Sequence, residues 1–406
     1  MIEVKDKKDC CGCKACTNVC PKQCIQFIED EEGFSYPKVD TSKCINCHLC
    51  ERVCPSLVNS PLRERKPISY GAKIKDRDIR DKSSSGGVFS ALANKILDDN
   101  GVIYGVSMRD DLKSAHNIRI DNKKDLALLR GSKYLQSDTE NIYVQVKKDL
   151  IEGKKVLFSG VPCQINTLKM FLHKEYENLY CVEVICHGTP SPALWKKYLD
   201  HLEDKYNAKV ESVDFRNKKY GWKRFGLVKK GKNINQYLDQ NTDPYMVMFL
   251  RNYCLRPSCY ECNAKKLESL ADITMADFWG IENVLPEMDD DTGTSLVLVQ
   301  NDKGKELLDS INNEIEIKEV NFDQAIKCNP SYSISVSKPK ERDTFFVDMN
   351  NMSFAQLQKK YCKVSKKQKV KSIIKKSLSY KLYRRICRGG VNIKFSYGLL
   401  ITLKKK

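Results

Sequence analysis

Along the middle of the chain, short apolar runs rich in β-branched residues alternate with stretches whose apolar positions recur at three and four residues. The runs at 101–107, 155–159, 179–185, 210–215 and 295–299 read as strands, and the spacing predicts helices over 88–97, 164–172, 193–206 and 304–311. Such alternation predicts an α/β (α+β) body whose sheet is at least partly parallel, with its chemistry gathered at the carboxyl ends of strands. The body begins near Ser69. Ahead of it, residues 1–60 follow neither period and are dense in cysteine, and Pro61 to Pro67, with charges between, reads as a linker. The body divides into segments 69–190 and 191–345. From 359 to 406 the composition turns Lys-, Ser- and Ile-rich without a core pattern, which makes a basic tail.

A chain of 406 residues is long enough for two or three domains with their own cores. Its 19 cysteines would suit a secreted protein if spread evenly, but eight lie in two tight runs between positions 10 and 54. That is metal-ligand spacing, and it implies a reducing compartment. The first residues mix charges and carry no apolar signal core, and the apolar stretch at 399–403 is far shorter than the ~20 residues a spanning helix needs. A cytoplasmic protein with no transmembrane segment is expected.

The net charge of +18 changes the picture only once it is located: from Lys359 onward there are 17 Lys and Arg and no acid. Residues 1–358 are close to neutral, so no nucleic-acid partner is expected. In 370–388, Val370, Ile373, Ile374, Leu378, Leu382 and Ile386 are interleaved with Lys and Arg. A basic amphipathic helix there could lie peripherally on the anionic inner face of a membrane; a solvated tail fits the same residues.

The one internal repeat is Cys10-x2-Cys13-x2-Cys16-x3-Cys20-Pro21 followed by Cys44-x2-Cys47-x2-Cys50-x3-Cys54-Pro55. This is the two-cluster ferredoxin run, in which three closely spaced thiolates wrap one [4Fe-4S] cube and the fourth, beside proline, serves the other. One cube would take Cys10, Cys13, Cys16 and Cys54, and the other Cys44, Cys47, Cys50 and Cys20. A pair of zinc knuckles would not demand the third cysteine and the Cys-Pro in both copies. Cys11 and Cys24 lie off-register and read as packing residues.

Four further cysteines stand at suggestive places. Cys163 follows a predicted strand and Gly160-Val161-Pro162; Cys186 ends another and precedes His187-Gly188; Cys259 and Cys262 form a Cys-x2-Cys pair. Their chemistry leaves several readings open: a third [4Fe-4S] cluster, a zinc site on Cys254, Cys259 and Cys262, a thioredoxin-like pair, or a nucleophilic Cys163. Ser83 to Gly87 opens a predicted helix, where free N–H groups favour an anion and glycines let a pyrophosphate approach; a plain serine cap is the alternative. Asp272 and Asp277 flank a strand-like segment and could hold ribose hydroxyls, cap a cluster loop, or simply be solvated. Of the five histidines only His187, beside a candidate ligand, stands out.

The order of Ser84-Ser85-Gly86-Gly87, Lys133-Tyr134-Leu135-Gln136-Ser137, Val161-Pro162-Cys163-Gln164, Cys186-His187-Gly188, Cys259-Tyr260-Glu261-Cys262 and Ala271-Asp272-Ile273-Thr274-Met275-Ala276-Asp277-Phe278-Trp279-Gly280 resembles the coenzyme F-420 hydrogenase/dehydrogenase beta-subunit family. The resemblance runs over about residues 1–340. It implies an oxidoreductase in which FAD lies beside a [4Fe-4S] cluster and exchanges electrons with a hydride-accepting coenzyme. On this resemblance Cys163, Cys186, Cys259 and Cys262 match the cluster positions. Ser85, Gly86, Gly87, Lys133, Gln136 and Asp277 are the candidate flavin contacts, and Arg216 and Trp222 could face the acceptor. Partners would be a ferredoxin or another redox enzyme subunit. The fused dicluster form is similar to bacterial members associated with polysaccharide biosynthesis, which adds two alternatives: a non-catalytic electron-transfer subunit, or a scaffold in polysaccharide assembly.

Overall fold

The computed structural model describes residues 1–57, 65–266 and 268–363, with the backbone of 392–394 and 402–404. Residues Met1–Ala355 form one compact unit and Gln356–Lys406 another. Within the second, the pieces 392–394 and 402–404 pair antiparallel. The 370–388 stretch lies outside the described residues. Among the described residues no helix is long and apolar enough to cross a membrane.

The strands of the first unit are, in order, β1 (Ile25–Glu29), β2 (Ser35–Val39), β3 (Ile68–Ile74), β4 (Val102–Met108), β5 (Ala115–Ile120), β6 (Ser137–Asp138), β7 (Val156–Gly160), β8 (Leu179–Val184), β9 (Ser212–Asn217), β10 (Gly226–Gly231), β11 (Ile234–Asp239), β12 (Ile273–Asp277), β13 (Ser295–Val299) and β14 (Ile315–Val320). Nine of them make one mixed sheet, ordered β14-β3-β13-β12-β8-β7-β4-β5-β6. At its centre β4, β7, β8 and β12 run parallel, while β13, β3 and β14 add antiparallel on one side and β5 on the other. The sheet takes strands from both 69–190 and 191–345.

The near-continuous apolar runs at β7 and β13 follow from burial on both faces. Alternation within each strand sorts the two cores. Ile103, Leu157, Val182 and Val297 meet the helix Val88–Asp98 on one face. Val102, Tyr104, Val156 and Phe158 meet the helices Ile142–Ile151 and Pro162–Leu172 on the other. A smaller antiparallel sheet, β11-β10-β9, stands apart.

The N-terminal module is built on the β1–β2 hairpin and two short helices, Ala15–Val19 and Leu49–Arg52. It is docked hard on the body. Glu32 receives a two-pronged ion pair from Arg342, at 2.7 and 2.6 Å, and its carbonyl accepts Ser191 Oγ at 2.6 Å. At Gly33 (φ +80°) a Cβ would stand 2.3 Å from that of Ala193. Ala15 and Val53 share a core with Leu168 and Phe171, so the module packs on the helix whose first turn carries Cys163.

Candidate functional site

The sequence repeat is repeated in the backbone. Gly12 and Lys14 in the first motif, and Asn46 and His48 in the second, occupy left-handed conformations at φ 74°, 59°, 54° and 58°. Two left-handed residues at matched places curl each Cys-x2-Cys-x2-Cys loop inward on itself. Cys54, from the second motif, joins the first: burial pushes the Cys16 thiol up, with Cys13, Cys10 and Cys54 adding to the shift. A small cavity in the module is ringed by Cys20, Cys44, Cys47 and Cys50. Cys24 shares that cavity, its Sγ 3.5 Å from Cys20 Sγ. Cys54 thus neighbours Cys10, Cys13 and Cys16, and Cys20 lines one cavity with Cys44, Cys47 and Cys50.

In the body, the parallel strands deliver their chemistry at their carboxyl ends. Cys163 follows β7 at the start of a helix, Cys186 follows β8, and the 3-10 turn Pro257–Cys259 brings Cys259 and Cys262 against both. Burial pushes Cys186 up to about 12, and Cys259 and Cys262 add to it. Cys163, beside Cys11, is pushed up by burial and by Cys262, Cys186 and Cys259. The Thr189 amide points at Cys259 Sγ from 3.3 Å. Cys254 is fully buried and acts elsewhere, its carbonyl accepting the Ser191 amide at 2.8 Å. Among the described residues no three His, Cys, Asp or Glu converge closely enough for a single metal ion. The thiols of Cys163, Cys186, Cys259 and Cys262 neighbour one another, a donor set that suits a larger inorganic group.

Cys11 is more than packing. Its thiol neighbours both Cys13 and Cys163, and so lies between the first motif and the body cysteines. All three line a cavity of about 750 Å³, inside the range of small-molecule sites (about 300–1,000 Å³).

The cavity runs from these cysteines across the strand ends to the loop before the helix Val88–Asp98. Ser83, Ser84, Ser85, Gly87, Arg130, Ser132, Lys133, Gln136 and Asp277 line it. Gly86 does not: a Cβ there would stand 2.4 Å from the Ala72 carbonyl oxygen, and its amide is spent on Ser295 Oγ at 3.0 Å. Its part is to let the serine loop lie on the sheet. Lys218 pins that loop, donating to the carbonyls of Arg80, Ser85 and Thr292, each at 2.8 Å. Opposite, burial without an acidic neighbour drives Lys133 down to about 7, and its ammonium donates to the carbonyls of Leu128 and Arg130 at 2.8 Å. Arg130 reaches Ser90 Oγ through Nε at 3.1 Å. Ser84 and Ser132, their hydroxyls paired at 2.9 Å, line the cavity with Arg130, Lys133 and the start of an 11-residue helix, while the Ser83 and Ser85 hydroxyls are bound to the carbonyls of Ile79 and Thr294; the lining set has the chemistry to accept a phosphate.

Asp277 ends β12 with Oδ1 taken by Arg216 and Trp222, each at 2.8 Å. Arg216 reaches the wall, its guanidinium 3.7 Å over Phe225. Trp222, by contrast, is 1% exposed and stacked on Trp279 at 4.9 Å. It is core, and Trp279 is the ring that reaches the cavity. Asp272 is also interior, receiving the Cys181 amide at 2.6 Å and Asn301 at 3.0 Å. It ties β8 to the loop after β13 and lies off the cavity. His187 lines the cavity with Nε2 2.7 Å from Asn252 Oδ1. The residues least visible in the sequence are Arg130, Lys218 and Arg256, basic side chains in loops with no spacing to mark them.

This fold and its crossed thiol sets define an iron–sulfur electron-transfer protein. Residues 9–58 match the 4Fe-4S dicluster domain, residues 69–161 the N-terminal part of the coenzyme F420 hydrogenase/dehydrogenase beta subunit, and residues 153–325 its C-terminal part. The chain belongs to the coenzyme F420 hydrogenase/dehydrogenase beta subunit family, with a 4Fe-4S dicluster domain at its N-terminus, and the family places it among oxidoreductases. A curated relative, the coenzyme F420-dependent sulfite reductase of Methanocaldococcus jannaschii, is 24% identical over 350 residues, which are 80% of this chain and 49% of that protein. The chain thus spans about half the length of that relative. A chain of the F420-reducing [NiFe] hydrogenase complex from Methanosarcina barkeri overlays with a TM-score of 0.44 at 16% identity, covering 75% of this chain and 94% of the other.

Proposed function

We propose that the chain is an iron–sulfur flavoprotein oxidoreductase that passes electrons between its dicluster module and a hydride acceptor in the large cavity. The observation that carries this reading is the contact series Cys13, Cys11, Cys163, which joins the first cysteine motif to the body thiols at the wall of that cavity. Cys10, Cys13, Cys16 and Cys54 would hold one [4Fe-4S] cluster, Cys20, Cys44, Cys47 and Cys50 a second, and Cys163, Cys186, Cys259 and Cys262 a third.

FAD, held in the cavity, would supply the conversion between one-electron and hydride chemistry. Ser84, Ser85, Arg130, Ser132 and Lys133 would bind its pyrophosphate, beside the start of the helix Val88–Asp98. Met246, Phe249 and Trp279 offer an apolar wall for a ring, and Gln136 a hydrogen-bonding edge. The module's entry side is the second motif, where Cys47 is exposed and Ile45 is 56% exposed, as a redox partner such as a ferredoxin or another enzyme subunit would need.

Stopped-flow reduction of the anaerobic, FAD-loaded chain tests this reading. With Cys186→Ser, the N-terminal clusters should still reduce while flavin reduction slows at least about tenfold, 1.4 kcal/mol of barrier. Flavin reduction at the native rate would contradict it.

A further inference from the structure

Arg256 lies in the loop that leads to Cys259 and is 1% exposed. Its backbone is fixed, the amide on the Thr189 carbonyl and the carbonyl accepting the Cys259 amide, both at 2.9 Å. From there the side chain reaches into the N-terminal module. Nε donates to the Cys10 carbonyl at 2.7 Å, Nη2 to the Ser35 carbonyl at 3.0 Å and to Cys10 Sγ at 3.6 Å, and Nη1 to Gln136 Oε1 at 3.2 Å. The guanidinium carbon sits 4.3 Å over the Tyr36 ring and 5.3 Å from that of Phe34. The approach is close enough that Gly12 has no room for a side chain: a Cβ would meet Gln136 Nε2 at 2.5 Å and Arg256 Nη1 at 2.8 Å.

The acceptors on this guanidinium are two backbone carbonyls, an amide oxygen and the Cys10 sulfur. No carboxylate pairs with it among the described residues, although a buried cation is costly without an anion. The group that can carry the missing charge is the Cys10 sulfur once it is ionised as a ligand, together with the cluster it holds. In the second motif the N–H···S bond comes from a backbone amide, Ile2 to Cys50 Sγ at 3.2 Å, and the positive group beside Cys50 and Cys44, the Met1 ammonium, is already paired with Glu51 at 2.6 Å. Cys44, which matches Cys10 in the repeat, has Asn46 Oδ1 at 3.8 Å from its sulfur.

We propose that Arg256 is the counter-ion of the first iron–sulfur centre: a positioning residue whose buried guanidinium, bonded to Cys10, raises that centre's potential. A positive charge and an N–H···S bond both favour the more negative, reduced cluster. The effect is directional. A raised potential at the first centre favours the arrival there of electrons taken up at the exposed second motif, and the first motif abuts the body thiols through Cys11. Because Arg256 stands three residues before Cys259, one short loop carries both the tuning cation of the first centre and a thiol of the next.

The inference rests on Cys10 being a ligand, and the two are tested separately. Full-length, anaerobically purified chain, Arg256→Gln and Arg256→Lys are titrated electrochemically with EPR detection, and iron is counted on each sample. In R256Q one N-terminal centre should move negative by ~59 mV or more, tenfold in a one-electron equilibrium. The other should stay in place, and R256K should recover most of the shift. Unchanged potentials in R256Q would overturn the proposal. If R256Q loses iron, R256K decides: near-native potentials support a charge role, and loss or an equally large shift refutes it. Cys10→Ser isolates the underlying assignment, since a variant keeping all its iron and both signals would show that Cys10 is no ligand.

Discussion

At the scale of single residues, what the sequence made legible were the thiols, because ligand spacing is local. Cys-x2-Cys-x2-Cys-x3-Cys-Pro announces itself within a dozen positions, and even the crossing of Cys54 to the first set follows from the pattern. Cys54→Ser should therefore remove about four iron and the signal of one cluster. A variant with full iron content would contradict the crossed assignment. The cations were not legible, since Arg256 meets Cys10 across 246 positions and Lys218 meets Ser85 across 133.

Lys133 gives a pH test at the same scale. Burial lowers it from 10.5 to about 7, so in the folded chain the ammonium is lost as pH rises through about 7. Between that value and 10.5 the unfolded chain binds the extra proton, so the cost of burying this charge is relieved as pH rises. A phosphate-bearing ligand requires the charged form. FAD affinity, followed by fluorescence quenching, should fall as pH rises through about 7, and Lys133→Gln should weaken binding at pH 6 by about tenfold, or 1.4 kcal/mol, and flatten the profile. A pH-independent affinity in the native chain would sink the role given to Lys133.

At the scale of elements, the central strands were readable and the margins were not. Apolar runs mark β4, β7, β8 and β13 because those strands are covered on both faces. β14, whose residues Ile315-Glu316-Ile317-Lys318-Glu319-Val320 are mostly exposed or half-buried at the sheet edge, and the polar hairpin β10–β11 carry too few buried positions to stand out. The serine loop was legible as a helix entry, while the reason for Gly86 was not, because the Ala72 carbonyl that excludes a Cβ belongs to β3. Gly86→Ala should destabilise the chain by about 1–3 kcal/mol through this overlap, measured by urea unfolding. It should also weaken FAD binding by displacing Ser85. Native stability in this variant would mean that the loop has more room than the contact allows.

At the scale of the whole molecule, the N-terminal module behaves as part of the body. Spacing in the sequence separates it cleanly, with a proline-bounded linker, yet Glu32, Gly33 and Phe34 pack against Arg342, Ala193 and Phe346. Contacts of this kind arise between segments hundreds of positions apart and leave no local trace. Arg342→Ala strands Glu32 as a half-hidden charge and should cost about 3 kcal/mol or more. Limited proteolysis should then release the module, and retention of native resistance would argue that the ion pair contributes little.

The measurement that bears most directly on the central claim is quantification of iron, sulfide and flavin on one anaerobically purified sample. Three cubane clusters and one hydride-transfer centre predict about twelve iron, about twelve sulfide and one flavin per chain. About eight iron and no flavin would contradict the account, leaving the dicluster module as an electron carrier on a body without redox groups of its own.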